Sequence, residues 1–304
     1  MARPKKVVKL TRQMLLTAKA LDDESKKRRE GPVTKEYLSD AMKIPMDTAS
    51  DLRALLTYGK FLTSSNDSHT TASTMLVLSD IHIPHHDPEA LEVALSYGEQ
   101  IKVDSIMLLG DIMDCYKVSR FTKDPRQKGM LQEIGETVAF LGDVRKRFPK
   151  AKIYYYRGNH EKRVEDYICN SAPEIFDLIG NLLQNQLMFH ELDIEYLTEP
   201  TRIGKLLFLH GHEKPGGFTP VNVPEAIFRL TNTSSLCGHF HVNQTKIFKN
   251  YDGDRFWVGA VGYLAGPQGY MPLNRWTSGF AVVNFDEQGR FRAAVHEIIE
   301  GGVF

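Results

Sequence analysis

Beyond residue 74 the chain alternates short apolar runs with longer amphipathic stretches. The runs "TMLVLS", "DSIMLLG" and "KIYYYRG" have strand length and predict buried strands. Between them, "DPEALEVALSYGEQ" and "GMLQEIGETVAFLGDVRKRF" repeat apolar positions at helical spacing. Strand and helix in turn imply βαβ units, an α/β class and a strand-rich core covered by helices. From about residue 194 the pattern becomes "TRIGKLLFLH", "QTKIFKNYDGDRFWV" and "SGFAVVNFDEQGRFRAAVHEI". Turn chemistry at "DGD" and "EQGR" between alternating runs predicts antiparallel sheet there.

Residues 1–63 read differently. Leu10, Met14, Ala18 and Leu21 follow a helical spacing, and Tyr37, Leu38, Ala41 and Met42 repeat it behind a capping Thr34. Pro45 ends that helix, and Asp47 caps another carrying Leu52, Leu55 and Leu56, which stops near Gly59. With "KFLTS" as a strand, the head is a small all-α or winged-helix-like domain; a helix-turn-helix and a plain three-helix bundle both fit. The Ser- and Thr-rich residues 64–74 read as a linker to a second domain over 75–304.

Composition bounds the picture further. The 304 residues suffice for one large domain or a large and a small one, and 42% hydrophobic with 25% charged residues is ordinary for a globular chain. No apolar run is long enough to span a bilayer, so no membrane partner is expected, and the N-terminus lacks the apolar core of a secretory signal. Three cysteines without C-x-x-C spacing argue against a disulfide framework and fit a reducing cytoplasm. Net charge is zero but unevenly spread: residues 1–63 hold 14 Lys+Arg against 8 Asp+Glu, and the rest 24 against 30. A basic head points to a polyanionic partner such as DNA; a solvated lysine-rich helix face, as in "KKRRE", is the alternative.

Candidate chemistry sits where the strands end. Asp80 and His82 follow "LVLS", Asp111 follows "IMLLG", and Asn159, His160 and Glu161 follow "IYYYRG". His210 and His212 follow "LLFL", and His239 and His241 follow "SSLCG". Eight of the 11 histidines lie in or beside these blocks, and ligands of open α/β sheets lie beyond the strands' carboxyl ends. Alternate residues of an extended segment face one side, so Asp80 with His82, and His239 with His241, are expected to converge. Carboxylate, amide oxygen and imidazole without thiolate suit Mn, Fe, Zn, Ni or Mg. Four His and two Asp exceed one tetrahedral site, whereas two ions about 3.5–4 Å apart use them all.

The blocks "SDIHIP", "GDIMD", "RGNHEKR", "LHGHE" and "CGHFH" resemble, in order, those of the calcineurin-like metallophosphoesterases, over about residues 73–304. The resemblance implies two central mixed sheets flanked by helices, and a hydroxide activated by two metal ions, manganese first, that hydrolyses a phosphate ester. It implies that Asp80, His82 and His241 hold one ion, that Asn159, His210 and His239 hold the other, and that Asp111 bridges them. His160 is implied to meet phosphate and assist the leaving oxygen. Beside these, Asp114 either orients a ligand histidine or caps a helix. Arg163 either meets phosphate or pairs with Glu165 or Asp166, and His212 either touches substrate or bonds locally. Residues 211–224 and 266–276 read as loops over the site, with Phe218, Tyr270 and Trp276 as aromatics that meet a base or pack. Cys115, Cys237 and Tyr154–Tyr156 read as packing. The basic head favours nucleic acid as substrate, in the manner of related phage-encoded enzymes inside a host cell. The alternatives are a small- or cyclic-nucleotide phosphodiesterase and a DNA-binding module whose metals are structural. Oligomeric state is not legible.

Overall fold

In the computed structural model the first apolar run is a strand, β1 (Ser73–Leu78), buried on both faces. Leu76 and Leu78 join one core cluster, and Met75 and Val77 join another. Each such side chain contributes about 1.5–3 kcal/mol by leaving water, so a two-faced strand belongs in the middle of a layered structure. The structure describes residues 34–44, 72–178, 181–214, 220–266 and 274–304, with positions 17, 18, 20, 21, 24, 46 and 49.

The chain divides into two units, Met1–Asn66 and Asp67–Phe304. In the first, α1 (Lys35–Met42) starts at Thr34, whose hydroxyl accepts from Tyr37 N at 3.2 Å. Leu38 is fully buried and clusters with Ala18 and Ala49, while Tyr37 is half exposed. Apart from Ala49, the expected helix over Asp47–Gly59 lies outside the described residues, as do the strand "KFLTS" and most of the first helical pattern.

The second unit contains α2 (Pro88–Gln100), β2 (Ser105–Leu108), α3 (Met130–Arg147), β3 (Lys152–Tyr156), α4 (Asn159–Ser171), α5 (Leu182–Gln186) and β4 (Ile194–Leu197). It continues with β5 (Thr201–Ile203), β6 (Leu206–Leu209), α6 (Val223–Thr231), β7 (Ser235–Cys237), β8 (Gln244–Lys249), β9 (Arg255–Ala260), β10 (Gly279–Phe285), β11 (Phe291–Ile299) and β12 (Gly302–Val303). One sheet has the order β12-β11-β10-β1-β2-β3-β4 and the other β5-β6-β7-β9-β8. Met75, Met107, Phe208, Leu236 and Val283 belong to one cluster between the sheets. Helices α2 and α3 cover the outer face of the first sheet through Leu91, Ala94, Leu141 and Val144. α6 covers the second through Val223 and Ile227. The fold is therefore two mixed sheets flanked by helices.

Three expectations change. Ser73 and Thr74, read as linker, pair with Phe285 and Asn284, so β1 starts inside that segment; threonine suits an antiparallel ladder. The later strands are not all antiparallel: β6, β7 and β9 run parallel. The parallel step from β6 to β7 needs a crossover, which α6 supplies. That helix begins inside the expected loop 211–224, at Val223, where the Asn222 side chain accepts from Glu225 N at 3.2 Å. No helix among the described residues is long and apolar enough to cross a membrane.

Candidate metal centre

Asp80 and His82 lie just past β1, Asp111 past β2, Asn159 past β3, His210 past β6, and His239 and His241 past β7. The parallel strands of both sheets thus bring their carboxyl ends, and these side chains, to one place. Donor atoms of Asp80, His82 and His241 lie within 4.8 Å of one another, and so do those of Asp111, His210 and His239. Asp80 Oδ1 is 3.2 Å from His241 Nε2, 3.9 Å from His82 Nε2 and 4.0 Å from His210 Nε2. Asp111 Oδ2 is 3.2 Å from His210 Nε2.

The opposite ends of these side chains are tied down. Asp80 Oδ2 accepts from Ser79 Oγ at 2.5 Å and from His239 N at 2.8 Å. Asp111 Oδ1 accepts from His160 N at 2.9 Å. His210 Nδ1 donates to the Leu109 carbonyl at 2.8 Å, which turns Nε2 inward, where a bound cation would take the place of its proton. Asp80 Oδ1, Asn159 Oδ1 and His210 Nε2 are each buried without a hydrogen-bond partner. Unpaired buried polar atoms are costly, and a cluster of them with carboxylate, amide and imidazole donors fits divalent cations.

Burial alone would raise the Asp80 carboxyl, but His241 and His210 overcome it and hold it at about 2. Burial also opposes ionisation of Asp111, and His160 and His210 hold it well below the usual carboxylate range. His210 would be lowered by burial, yet Asp111 and Asp80 push it up to about 10. His239 goes the other way, down to about 4, through burial and the neighbouring His210. Two ionised carboxylates inside the protein give the charge that cations require.

The backbone carries the convergence by a route the spacing did not reveal. Asp80, His82, Asp111, His239 and His241 all have φ between 52° and 68°. Strand β7 ends at Cys237, so the two histidines beyond it are not on an extended segment. Their side chains approach the same centre through left-handed residues, each costing of order 1–3 kcal/mol. Two glycines permit close packing: a Cβ on Gly158 would strike Asp111 Oδ1 and N, and one on Gly238 would strike Ser79 Oγ.

Asp114 lies beneath two imidazoles, 3.3 Å from His82 Nδ1 and 3.1 Å from His160 Nδ1. It caps no helix; the 3-10 turn that follows starts at Cys115 without a side-chain cap. His160 Nδ1 also donates to the Asp114 carbonyl at 2.8 Å, and Arg163 donates from Nη2 to His160 Nε2 at 2.7 Å. Arg163 reaches the Asp114 carbonyl too, at 2.9 Å, rather than its expected surface partners. Glu165 instead takes Arg157, and Asp166 takes Lys162. His212 Nδ1 is buried without a hydrogen-bond partner, 3.8 Å from Glu213 Oε2. Its ring lies 5.5 Å from that of His210. Trp276 packs edge-on against His241 at 4.5 Å. Phe218 and Tyr270 lie outside the described residues.

The sequence reading assigned no role to three glutamates. Glu161 is fully buried and accepts from the backbone N of Asp111, Ile112, Met113 and Gly158, at 2.8–3.1 Å, and from Tyr155 Oη at 2.9 Å. It clamps the loop after β2 to the start of α4. Glu213 accepts from Tyr156 Oη at 2.6 Å and Gly211 N at 2.7 Å, so two tyrosines read as packing also tether site loops. Glu133 of α3 accepts from Cys115 N, and burial pushes its carboxyl up to about 7. An acidic residue in line with Thr137, Leu141 and Val144 on the buried helix face was the available signal.

The calcineurin-like phosphoesterase profile matches residues 73–267. The Gene 54 protein of Mycobacterium phage L5 is 27% identical over 233 residues, covering 70% of this chain and 89% of its own. Its counterpart in Mycobacterium phage D29 is 25% identical with the same coverage. Among solved structures, Vacuolar Protein Sorting 29 from Cryptosporidium parvum is similar with a TM-score of 0.43 at 14% identity, over 77% of this chain and 96% of that one. With the profile matching well over half its length, this chain belongs to the calcineurin-like phosphoesterase family.

Proposed function

We propose that this protein is a metal-dependent phosphoesterase that acts on nucleic acid inside a host cell, as a phage-derived enzyme. The observation that carries the reading is the set of seven candidate donors gathered from five strand ends, six of them in two close groups of three, with Asp80, Asn159 and His210 each holding a buried unpaired atom. Asp80, His82 and His241 would hold one ion and Asn159, His210 and His239 a second, with the Asp111 carboxylate available to both. A bound pair of divalent ions, manganese first, would supply a nucleophilic water at neutral pH and positive charge for the phosphoryl group.

The remaining roles belong to side chains. Asp114 fixes the His82 and His160 rings. Arg163 offers phosphate a planar donor fork. His160, with its side chain 13% exposed, turns Nε2 toward both Arg163 and Asp111; protonated there, with Arg163 transferred to the phosphate, it donates to the departing oxygen. His212 lines the side of the second ion. The basic head, with its excess of 6 cations, favours nucleic acid over a free nucleotide.

The test is a panel of nicked and single-stranded DNA, a cyclic nucleotide, a nucleoside monophosphate and an aryl phosphodiester, with and without manganese. Nucleic acid should be the best substrate, and His160→Gln should lower kcat by about 10²–10⁴-fold while metal content holds. Absence of metal-dependent turnover on every substrate would reduce the protein to a binding module. Preference for the cyclic nucleotide would transfer it to small substrates.

A further inference from the structure

The body of the protein is net acidic, with 24 Lys+Arg against 30 Asp+Glu after residue 63. Against that background one groove collects cations. It has a volume of about 780 Å³, and Arg202, Lys205, Arg255 and Arg292 line it. All four are exposed, and none enters an ion pair among the described residues. Two further charges line it: Asp254, hydrogen-bonded to Asn250 at 2.9 Å, is one acid against these four cations, and Arg290 is paired with Asp286 at 2.6 Å.

The groove lies far from the metal centre. Arg255 opens β9, Lys205 precedes β6, and Thr233 and Ser234, which also line it, precede β7. These are the amino ends of β6 and β7, whose carboxyl ends carry metal donors, and of β9, which runs parallel to them. β5, with Arg202, and β9, with Arg255, are three strands apart in their sheet, roughly 14 Å at ordinary strand spacing. One phosphate does not bridge that separation; a chain of phosphates does. Half-buried Trp257 and Phe291 also line the groove, with ring centroids 6.1 Å apart. A cationic track beside aromatic rings is the chemistry that takes single-stranded nucleic acid, phosphates on the charges and bases on the rings.

We propose that this groove is a second nucleic-acid-binding site, which holds a single strand on the end of the sheets opposite the metal centre. It rests on the reading of the protein as a nucleic-acid enzyme, but its binding needs no turnover.

The test uses the full chain in chelator, so that no hydrolysis occurs, and follows the anisotropy of a labelled oligothymidine of about 20 nucleotides, longer than one such site. Arg255→Glu with Arg292→Glu should weaken binding at least tenfold and flatten its salt dependence. Trp257→Leu, a milder change that keeps an apolar residue in the core, should weaken it severalfold with the salt dependence intact. The charge variant should keep wild-type turnover of the small aryl phosphodiester with manganese, which also shows that it folds. Unchanged oligonucleotide affinity in the charge variant would overturn the proposal and leave binding to the head. Displacement by inorganic polyphosphate as effective as by oligothymidine would overturn the nucleic-acid assignment. Loss of aryl phosphodiester turnover in the wild type, with groove binding intact, would count against the catalytic reading alone.

Discussion

At the residue scale, each candidate donor lies within a few residues of a strand end, where topology delivers side chains to a shared crevice. Their partners were not legible: spacing does not say which ring a carboxylate faces. Asp114 shows the difference, since the sequence left it between a cap and an orienting group, and only its approach to His82 and His160 decides. Asp114→Ala should weaken metal binding by about 10–100-fold, read by calorimetric titration; unchanged affinity would remove it from the site. Glu133 supports a pH prediction. Its folded value, about 7, lies above the ordinary 4.5, so the folded protein binds the extra proton between those values. That contribution is fully present below pH 4.5 and is lost as pH rises through 7. Glu133→Gln should therefore gain stability relative to the wild type on going from pH 4.5 to 8, on the order of 2–3 kcal/mol by urea unfolding. A difference independent of pH would contradict this.

At the element scale, the βαβ rhythm was legible in β1, β2 and β3 and the helices between them, because a doubly buried strand is an uninterrupted apolar run. Strand direction was harder. β7 has three residues and β6 four, too few for periodicity to show which way they run. The helix that makes them parallel hides behind "TPVNVP". The extended-strand reasoning for His239 and His241 does not hold, since both have left-handed backbones and their donors fall in different groups, His239 with Asp111 and His210, and His241 with Asp80 and His82. Glu161 is where elements are locked together, with four backbone N–H groups and one phenol on a single carboxylate. Glu161→Ala leaves those donors buried without an acceptor and should cost about 3–5 kcal/mol by urea unfolding, with metal binding lost alongside. A loss below about 1 kcal/mol, the net worth of one ordinary hydrogen bond, would show that the clamp is dispensable.

At the scale of the whole molecule, charge segregation between the head and the rest was visible in simple counts, whereas the cationic groove was not. Its residues come from β5, β9, β11 and the turn before β6, and only the sheet order brings them together. The metal centre has the same logic with more legible parts, since each of its blocks carries its own short pattern. The most direct test of that centre is titration of the chelator-stripped protein with manganese, followed by elemental analysis of the washed product. Two ions per chain should bind to the wild type, and Asp111→Ala, which removes the carboxylate between the two donor sets, should retain fewer than one. A wild-type chain that retains no ion, or an Asp111→Ala chain that still holds two, would contradict the account.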